Sequence, residues 1–468
     1  MEILDLCHFG WDGCTVPTNL KNICDKLPGW KNLKIMRSPI EMEGRNIYLP
    51  YKFIRDSHGR ECMPGYFFQD IVDDGGYAII HRVQRAVYYP SDSARTGNIT
   101  LVKMDHFAEI CMKEVKVQIM PDEDNPETRE KAYEDEILSI LYEAFIHAVV
   151  QKTVENAGLP TIVPQLFEVL GKTKDNSSAK APSCIESVWI GMEFLSGYTL
   201  ERYLEKHLSP VPAESCSLRR ADIMIRQKNE MILIDVLIQL AHYLNILQSR
   251  LRFNHRDLKV NNIFVRYHDD RDSWGRTLEI PEFGTWKCNN DIVLIDFGFS
   301  CIACGKGFLK PRATLIGAGS YFTQEHDCMK FGRDLGQFLY SLHCAFPLQD
   351  YVSREVFDVL HAALVADKKG TKVDLMMGIG EDGVPFSGSE LPGRIEFNRG
   401  IYDFLREDDV DVPGCAPGTF LTAMKKIRYE RWYAGSVGPT AATGATGTKS
   451  AGGGGGGYFA GLNLTGPK

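Results

Sequence analysis

The stretch FNHRDLKVNNIFV, residues 253–265, constrains this chain more than any other part of it. Before it comes MILIDVLIQLAHYLNIL, residues 231–247, whose apolar residues recur at helical spacing around a single Asp235. After Asn262 comes the apolar run of residues 263–265, a short strand. A buried helix, a polar loop and a buried strand must therefore follow one another, with Asp257 and Asn262 at opposite ends of one tight loop. A carboxylate there can take a proton from an attacking hydroxyl, and an asparagine carbonyl is a hard-oxygen ligand suited to Mg²⁺. Lys259 can reach a transferring phosphate.

Downstream, residues 292–295 form a β-branched apolar run that ends in Asp296, Phe297 and Gly298. A carboxylate at the end of a buried strand, followed by a glycine that permits a sharp turn, is a natural metal ligand. A lone Asp-Phe-Gly reads equally well as a plain turn. Following the 253–265 stretch, it reads as the second half of one site.

HRDLKVNN and IDFG resemble the catalytic loop and the metal-binding motif of the eukaryotic-type protein kinase family. The resemblance implies an α+β, bilobal fold, with a small β-rich N-lobe bearing one helix and a larger helical C-lobe. It implies ATP and Mg²⁺ as cofactors and a protein as substrate. Asp257 would be the catalytic base, Asn262 and Asp296 would hold the metal, and Lys259 would support the γ-phosphate in the manner of the serine/threonine branch. Arg256 would make the loop responsive to phosphorylation of Thr314 or Ser320. EICMK resembles the third-strand motif that carries the phosphate-binding lysine, here Lys113. Its helical partner would be Glu143, with Glu136 a rival on the same helix. MEFLSG resembles the hinge, with Met192 as gatekeeper and the backbone of Glu193 and Leu195 facing adenine. DDGGYAII resembles the glycine-rich loop, with Gly75, Gly76 and Ile80 against the nucleotide. Residues 317–325 and the FGRDL of residues 331–335 resemble two later landmarks of the family.

The chain departs from the family at defined places. Asp73 and Ala78 occupy two glycine positions of the phosphate loop, which restricts the backbone and adds negative charge beside a polyanion. Ala318 replaces a threonine that bonds the catalytic aspartate. Residues 266–290 are inserted between the two motifs and read as an enlarged surface hairpin. Two other readings use the same residues. A scaffold that binds nucleotide without turnover would suit the altered loop, and a small-molecule phosphotransferase would suit the divergent C-terminal half.

Around this site the chain divides into an extension (residues 1–65), an N-lobe (66–195), a C-lobe (196–433) and a tail (434–468). Residues 67–117 alternate apolar and polar in strand-like runs. Ile137, Leu141, Phe145 and Val149 then mark a helix that an acidic segment leads into. PQLFEVL and SVWIGMEFL read as two further strands. The tail, rich in Gly, Ala and Thr, buries too little apolar surface to offset its ordering entropy and reads as disordered.

A formal charge of −8 over 468 residues argues against an affinity built on neutralising nucleic-acid phosphates. The chain shows no uninterrupted apolar run of membrane-spanning length and no secretory signal, so neither membrane nor nucleic acid is expected as a partner. Thirteen scattered cysteines suit thiols in a reducing, cytoplasmic compartment. The tight pair Cys301 and Cys304 reads as ordinary thiols rather than half of a zinc site.

Overall fold

A computed structural model of the chain describes residues 30–36, 39–42, 45–50, 54–55, 60–74, 78–90, 101–103, 108–119, 125–159, 161–174, 180–211, 220–267, 276–304, 307–309, 329–365 and 411–427. Within them the fold is mixed α+β. The residues read as the disordered tail lie outside this set, as do Gly75, Gly76, Thr314, Ser320, Ala318 and the rest of residues 317–325.

The first part of the chain builds one eight-stranded sheet. Strands β1 (Lys34–Ile35), β4 (Ile54–Arg55), β5 (Glu61–Asp74), β6 (Ala78–Pro90), β7 (Leu101–Lys103), β8 (Ala108–Lys116), β9 (Leu166–Thr173) and β10 (Ile185–Glu193) contribute, while β2 (Ile40–Met42) and β3 (Arg45–Ile47) pair separately. The order is β1-β9-β10-β8-β6-β5-β4, with β7 on β6. β5 already begins at Glu61, inside the segment read from sequence as an extension, and β1 lies parallel to β9. Part of that extension, β1, β4 and the start of β5, therefore belongs to the sheet.

One sheet face packs on helix α1 (Pro126–Asn156). The side chain of Asn125 caps this helix by accepting from Glu127 N at 2.9 Å, with Pro126 at the first position and Glu127 in the first turn. Each of these choices favours a helix start. Ile137, Leu141, Phe145 and Val149 are all buried. The other sheet face carries a second apolar cluster of Met36, Tyr66, Val83, Ile110, Met112, Leu170 and Trp189.

After β10 come β11 (Gly197–Thr199), α2 (Leu200–His207) and α3 (Arg220–Leu251), the helix expected from residues 231–247. Gly197 has φ +148° and a Cβ there would meet Val265 O at 2.1 Å, so only glycine fits. Leu237, Leu240, Leu244, Leu247 and Leu251 of α3 are buried in the main core. By length and composition α1 and α3 could each cross a membrane, but 72% and 78% of their apolar windows are buried inside the protein. β12 (Ile263–Arg266) pairs with β11 and with β15 (Asp291–Leu294), forming a small three-stranded sheet. β16 (Ile302–Cys304) and β17 (Gly307–Leu309) follow, then α4 (Arg333–Ala345), α5 (Arg354–Val365) and α6 (Pro417–Met424).

The insertion forms hairpin β13 (Thr277–Ile280) and β14 (Gly284–Lys287). Only one of its faces is at the surface. Leu278, Ile280, Trp286 and Cys288 are 2%, 1%, 6% and 2% exposed and belong to the main core. The period-two alternation in TLEI and GTWK gives the hairpin one apolar face, and that face packs inward. Asp235 of α3 accepts from Trp286 Nε1 at 3.0 Å and from Asn289 N and Asn290 N at 3.0 and 2.9 Å, which anchors the hairpin to the helix.

Candidate functional site

Lys113 stands in the middle of β8, directly opposite Ile80 on β6 and Ile190 on β10. Its Nζ lies 2.6 Å from Glu143 Oε1 of α1 and 2.9 Å from Asp296 Oδ1. The carboxylate of α1 that reaches Lys113 is thus that of Glu143; Glu136 is buried two turns earlier. Asp296 lies just beyond β15 with φ +64°, a left-handed conformation that an aspartate adopts at some cost. Gly298 N donates to Asp296 Oδ1 at 3.3 Å, and a Cβ on Gly298 would sit 3.4 Å from Glu143 Oε2. Glycine there keeps the turn close to both carboxylates.

Burial opposes the charge on Lys113, but Asp296 and Glu143 hold its pKa well above the usual range. Burial likewise opposes ionisation of Asp296, yet the Lys113 ammonium and the Gly298 N–H hold its carboxyl well below the usual range. Glu143 is pushed up by burial, against the pull of Lys113.

The 253–265 loop is held from beneath by Asp334, in the first turn of α4. Its Oδ2 accepts from His255 N at 2.8 Å and from Asn254 Nδ2 at 3.1 Å, and its Oδ1 accepts from Arg256 N at 2.9 Å. Arg256 has φ +67°, so these bonds pin a residue in the left-handed region. Gly332, preceding α4, has φ +71°, and a Cβ there would meet Val412 O at 1.9 Å.

Within the loop, Lys259 Nζ donates to Asp257 Oδ2 at 2.9 Å. Asn262 Nδ2 donates to Asp257 O and Oδ2, both at 2.8 Å. Burial raises the Asp257 pKa, Lys259 opposes the rise, and the charge of Asp296 adds to it. That last influence marks the two aspartates as electrostatic neighbours. Ile295 N donates to Asn262 O at 3.1 Å, and His255 Nε2 lies 3.0 Å from Ile295 O, so the two motifs are bonded to each other. Phe297 packs between His147 of α1 and His255, with ring centroids 4.8 and 5.6 Å away.

Glu193 and Leu195 are half-buried at the end of β10. Glu193 N donates to Gln165 O at 2.7 Å, and its carboxylate pairs with Arg266 at 3.2 Å. Met192 packs partly buried against the main core. Asp73 and Asp74 are exposed at the end of β5, where they pair with Ile80 and Ile79. Cys301 is buried, and among the described residues no three His, Cys, Asp or Glu side chains gather as for a metal cage.

Sequence reasoning assigned no part to Asn254 or His147. Asn254 joins Asp334, accepts from Lys330 N at 2.7 Å and exchanges backbone bonds with Cys301. Its signal was faint: an amide between two residues, Phe253 and His255, that the loop must bury. His147 Nε2 donates to Pro164 O at 2.8 Å, and burial lowers its pKa to about 4, so it is a neutral ring under Phe297.

Lys113 thus joins Glu143 and Asp296, while Asp257 joins Lys259 and Asn262 in the loop that is bonded to the strand end at Ile295. No family model matches the chain, and no curated protein matches it. Among solved structures it is similar to the autoinhibited serine kinase domain of the giant muscle protein titin, at 12% identity and a TM-score of 0.32, over 76% of this chain and 92% of that one.

Proposed function

We propose that this chain is a bilobal, ATP- and Mg²⁺-dependent protein kinase that transfers the γ-phosphoryl group to serine or threonine hydroxyls. The observation that carries the reading is the joining of Lys113, Glu143 and Asp296 by direct ion pairs beside the bonded unit of Asp257, Lys259 and Asn262. Phosphoryl transfer needs positioning and charge stabilisation more than covalent help, and these residue types supply both.

The donor set fits Mg²⁺. Asn262 spends its amide N–H groups on Asp257, and Asp296 spends Oδ1 on Lys113 and Gly298. Among the described residues, Asn262 Oδ1 and Asp296 Oδ2 remain as two hard oxygens without a hydrogen-bond donor. A magnesium ion shared with phosphates needs only one or two protein ligands. When bound, it would neutralise charge on the phosphates.

In this reading Lys113, oriented by Glu143, grips the α- and β-phosphates. Asp257 accepts the proton of the attacking hydroxyl at a carboxylate oxygen and aligns that hydroxyl. Lys259 offsets charge on the moving phosphoryl group. Ile80 would lie above the nucleotide, with the backbone of Glu193 and Leu195 along adenine and Gly75 and Gly76 at the phosphates. The protein would act in the cytoplasm, where thiols such as Cys111 and Cys415 persist.

One observation favours a second reading. The exposed Asp73 and Asp74 place two negative charges next to the phosphate loop. A scaffold that holds nucleotide without turnover would tolerate them.

The test is phosphate transfer from Mg-ATP to a mixed basic-protein substrate, by wild type, Asp257→Asn and Asp296→Asn. Removing a general base costs about 10²–10⁴ in rate, so phosphoserine and phosphothreonine should vanish in both variants. Transfer that survives Asp257→Asn would sink the assignment.

A further inference from the structure

The sheet face opposite Lys113 carries a pocket that phosphoryl transfer does not use. Side chains alternate along β8, so Lys113 and Glu114 point to opposite faces. On the Glu114 side lies a cavity of about 290 Å³. Its wall is built of three rings packed edge to face. Tyr48 lies 5.2 Å from Phe68 and 5.6 Å from Trp189, and Phe68 lies 4.8 Å from Trp189, between centroids.

Two carboxylates border this wall, Glu114 and Asp70. Glu114 has His81 Nε2 at 2.9 Å and accepts from Ser187 Oγ at 3.0 Å, which leaves acceptor capacity on both oxygens. Burial opposes its ionisation, but the His81, Ser187 and Trp189 hydrogen bonds hold its carboxyl down to about 2. Asp70 is exposed. Lys172, also in the lining, pairs with Glu186 at 3.2 Å, and its charge reaches Glu114 as well. Ile71, also in the lining, stands 57% exposed.

These features select a ligand by chemistry. Aromatic faces carry negative potential, and ionised carboxylates beside them favour a cation. A guanidinium fits better than an ammonium, because it is flat, weakly hydrated and forks onto carboxylate oxygens while stacking on rings. The apolar rim has no use for a small free cation but suits the neighbouring side chains of a peptide. We propose that the pocket receives an arginine of a protein partner, its guanidinium against the Tyr48, Phe68 and Trp189 wall and the Glu114 and Asp70 carboxylates. An apolar residue flanking that arginine lies on Ile71.

The test is calorimetric titration of the full chain with acetyl-Leu-Arg-Leu-amide, its citrulline counterpart and acetyl-arginine-amide. Saturable binding of the arginine peptide is expected, with citrulline weaker by about tenfold, the scale of one desolvated cation–π or charge contact. Asp70→Asn, at an exposed position that folding tolerates, and the isosteric Glu114→Gln should each weaken the arginine peptide while leaving the citrulline one unchanged. No saturable binding, or equal binding of the citrulline peptide, overturns the site. Equal affinity for acetyl-arginine-amide overturns the protein partner, because Ile71 would then contribute nothing.

Discussion

Asp257 is buried next to one cation and near a second carboxylate, and its behaviour with pH follows from that placement. Burial raises its pKa, so the proton that a base must lack is lost later than from an ordinary aspartate. The folded state therefore binds this proton more tightly than the unfolded chain does. Its stability contribution falls as pH rises from the unfolded pKa through the raised folded one. Activity moves the other way, vanishing as pH falls through the folded pKa. The Lys259 ammonium, 2.9 Å away, opposes the rise. Lys259→Met should shift the acid limb of kcat/KM to higher pH and lower the plateau by roughly 10²-fold, as when one charge-stabilising donor is removed. A pH–rate profile in the two proteins checks this. An unmoved acid limb would assign it to another group.

Among the elements, those with a local periodic signal were legible and those defined by distant partners were not. The fourfold spacing of Ile137, Leu141, Phe145 and Val149 is the buried stripe of α1, and the residue 231–247 pattern is the core of α3. β12 and β15 stand where their apolar runs placed them. No local pattern could show that Asp334 holds Asn254 from 80 residues away, because that bond exists only after α4 has docked. The hairpin expected in the 266–290 insertion is present, but its inward packing was not legible, for a related reason: nothing local shows that Asp235, a lone acid in an apolar helix, waits for Trp286 and the Asn289 and Asn290 amides. Trp286→Phe keeps most of the buried ring and removes the indole N–H. We expect a loss of about 1–3 kcal/mol, the cost of leaving a buried acceptor short of a donor, read from urea unfolding. A change near zero would mean that the remaining donors to Asp235 close over the gap.

Across the whole molecule, the candidate site is where distant parts of the chain converge. Lys113 comes from the large sheet, Glu143 from α1, Asp257 from the loop after α3, and Asp296 from the end of the small sheet. Among the described residues two ammonium groups face three carboxylates there, which leaves an excess negative charge beside Asn262 Oδ1 and Asp296 Oδ2. A ligand that brings a cation and phosphates together should therefore bind the folded chain and not the unfolded one. Such a ligand stabilises by about 2.7 kcal/mol at a hundred times its Kd. We expect Mg-ATP to raise the melting temperature of wild type, with the shift lost in Lys113→Met and Asp296→Asn. Asp257→Asn should keep it, because in the proposed function that carboxylate would face the acceptor hydroxyl rather than the nucleotide. A shift retained in Asp257→Asn alongside lost transfer separates binding from chemistry at this site. A wild type that Mg-ATP leaves unshifted would remove nucleotide from the proposal altogether, whatever the geometry of Lys113.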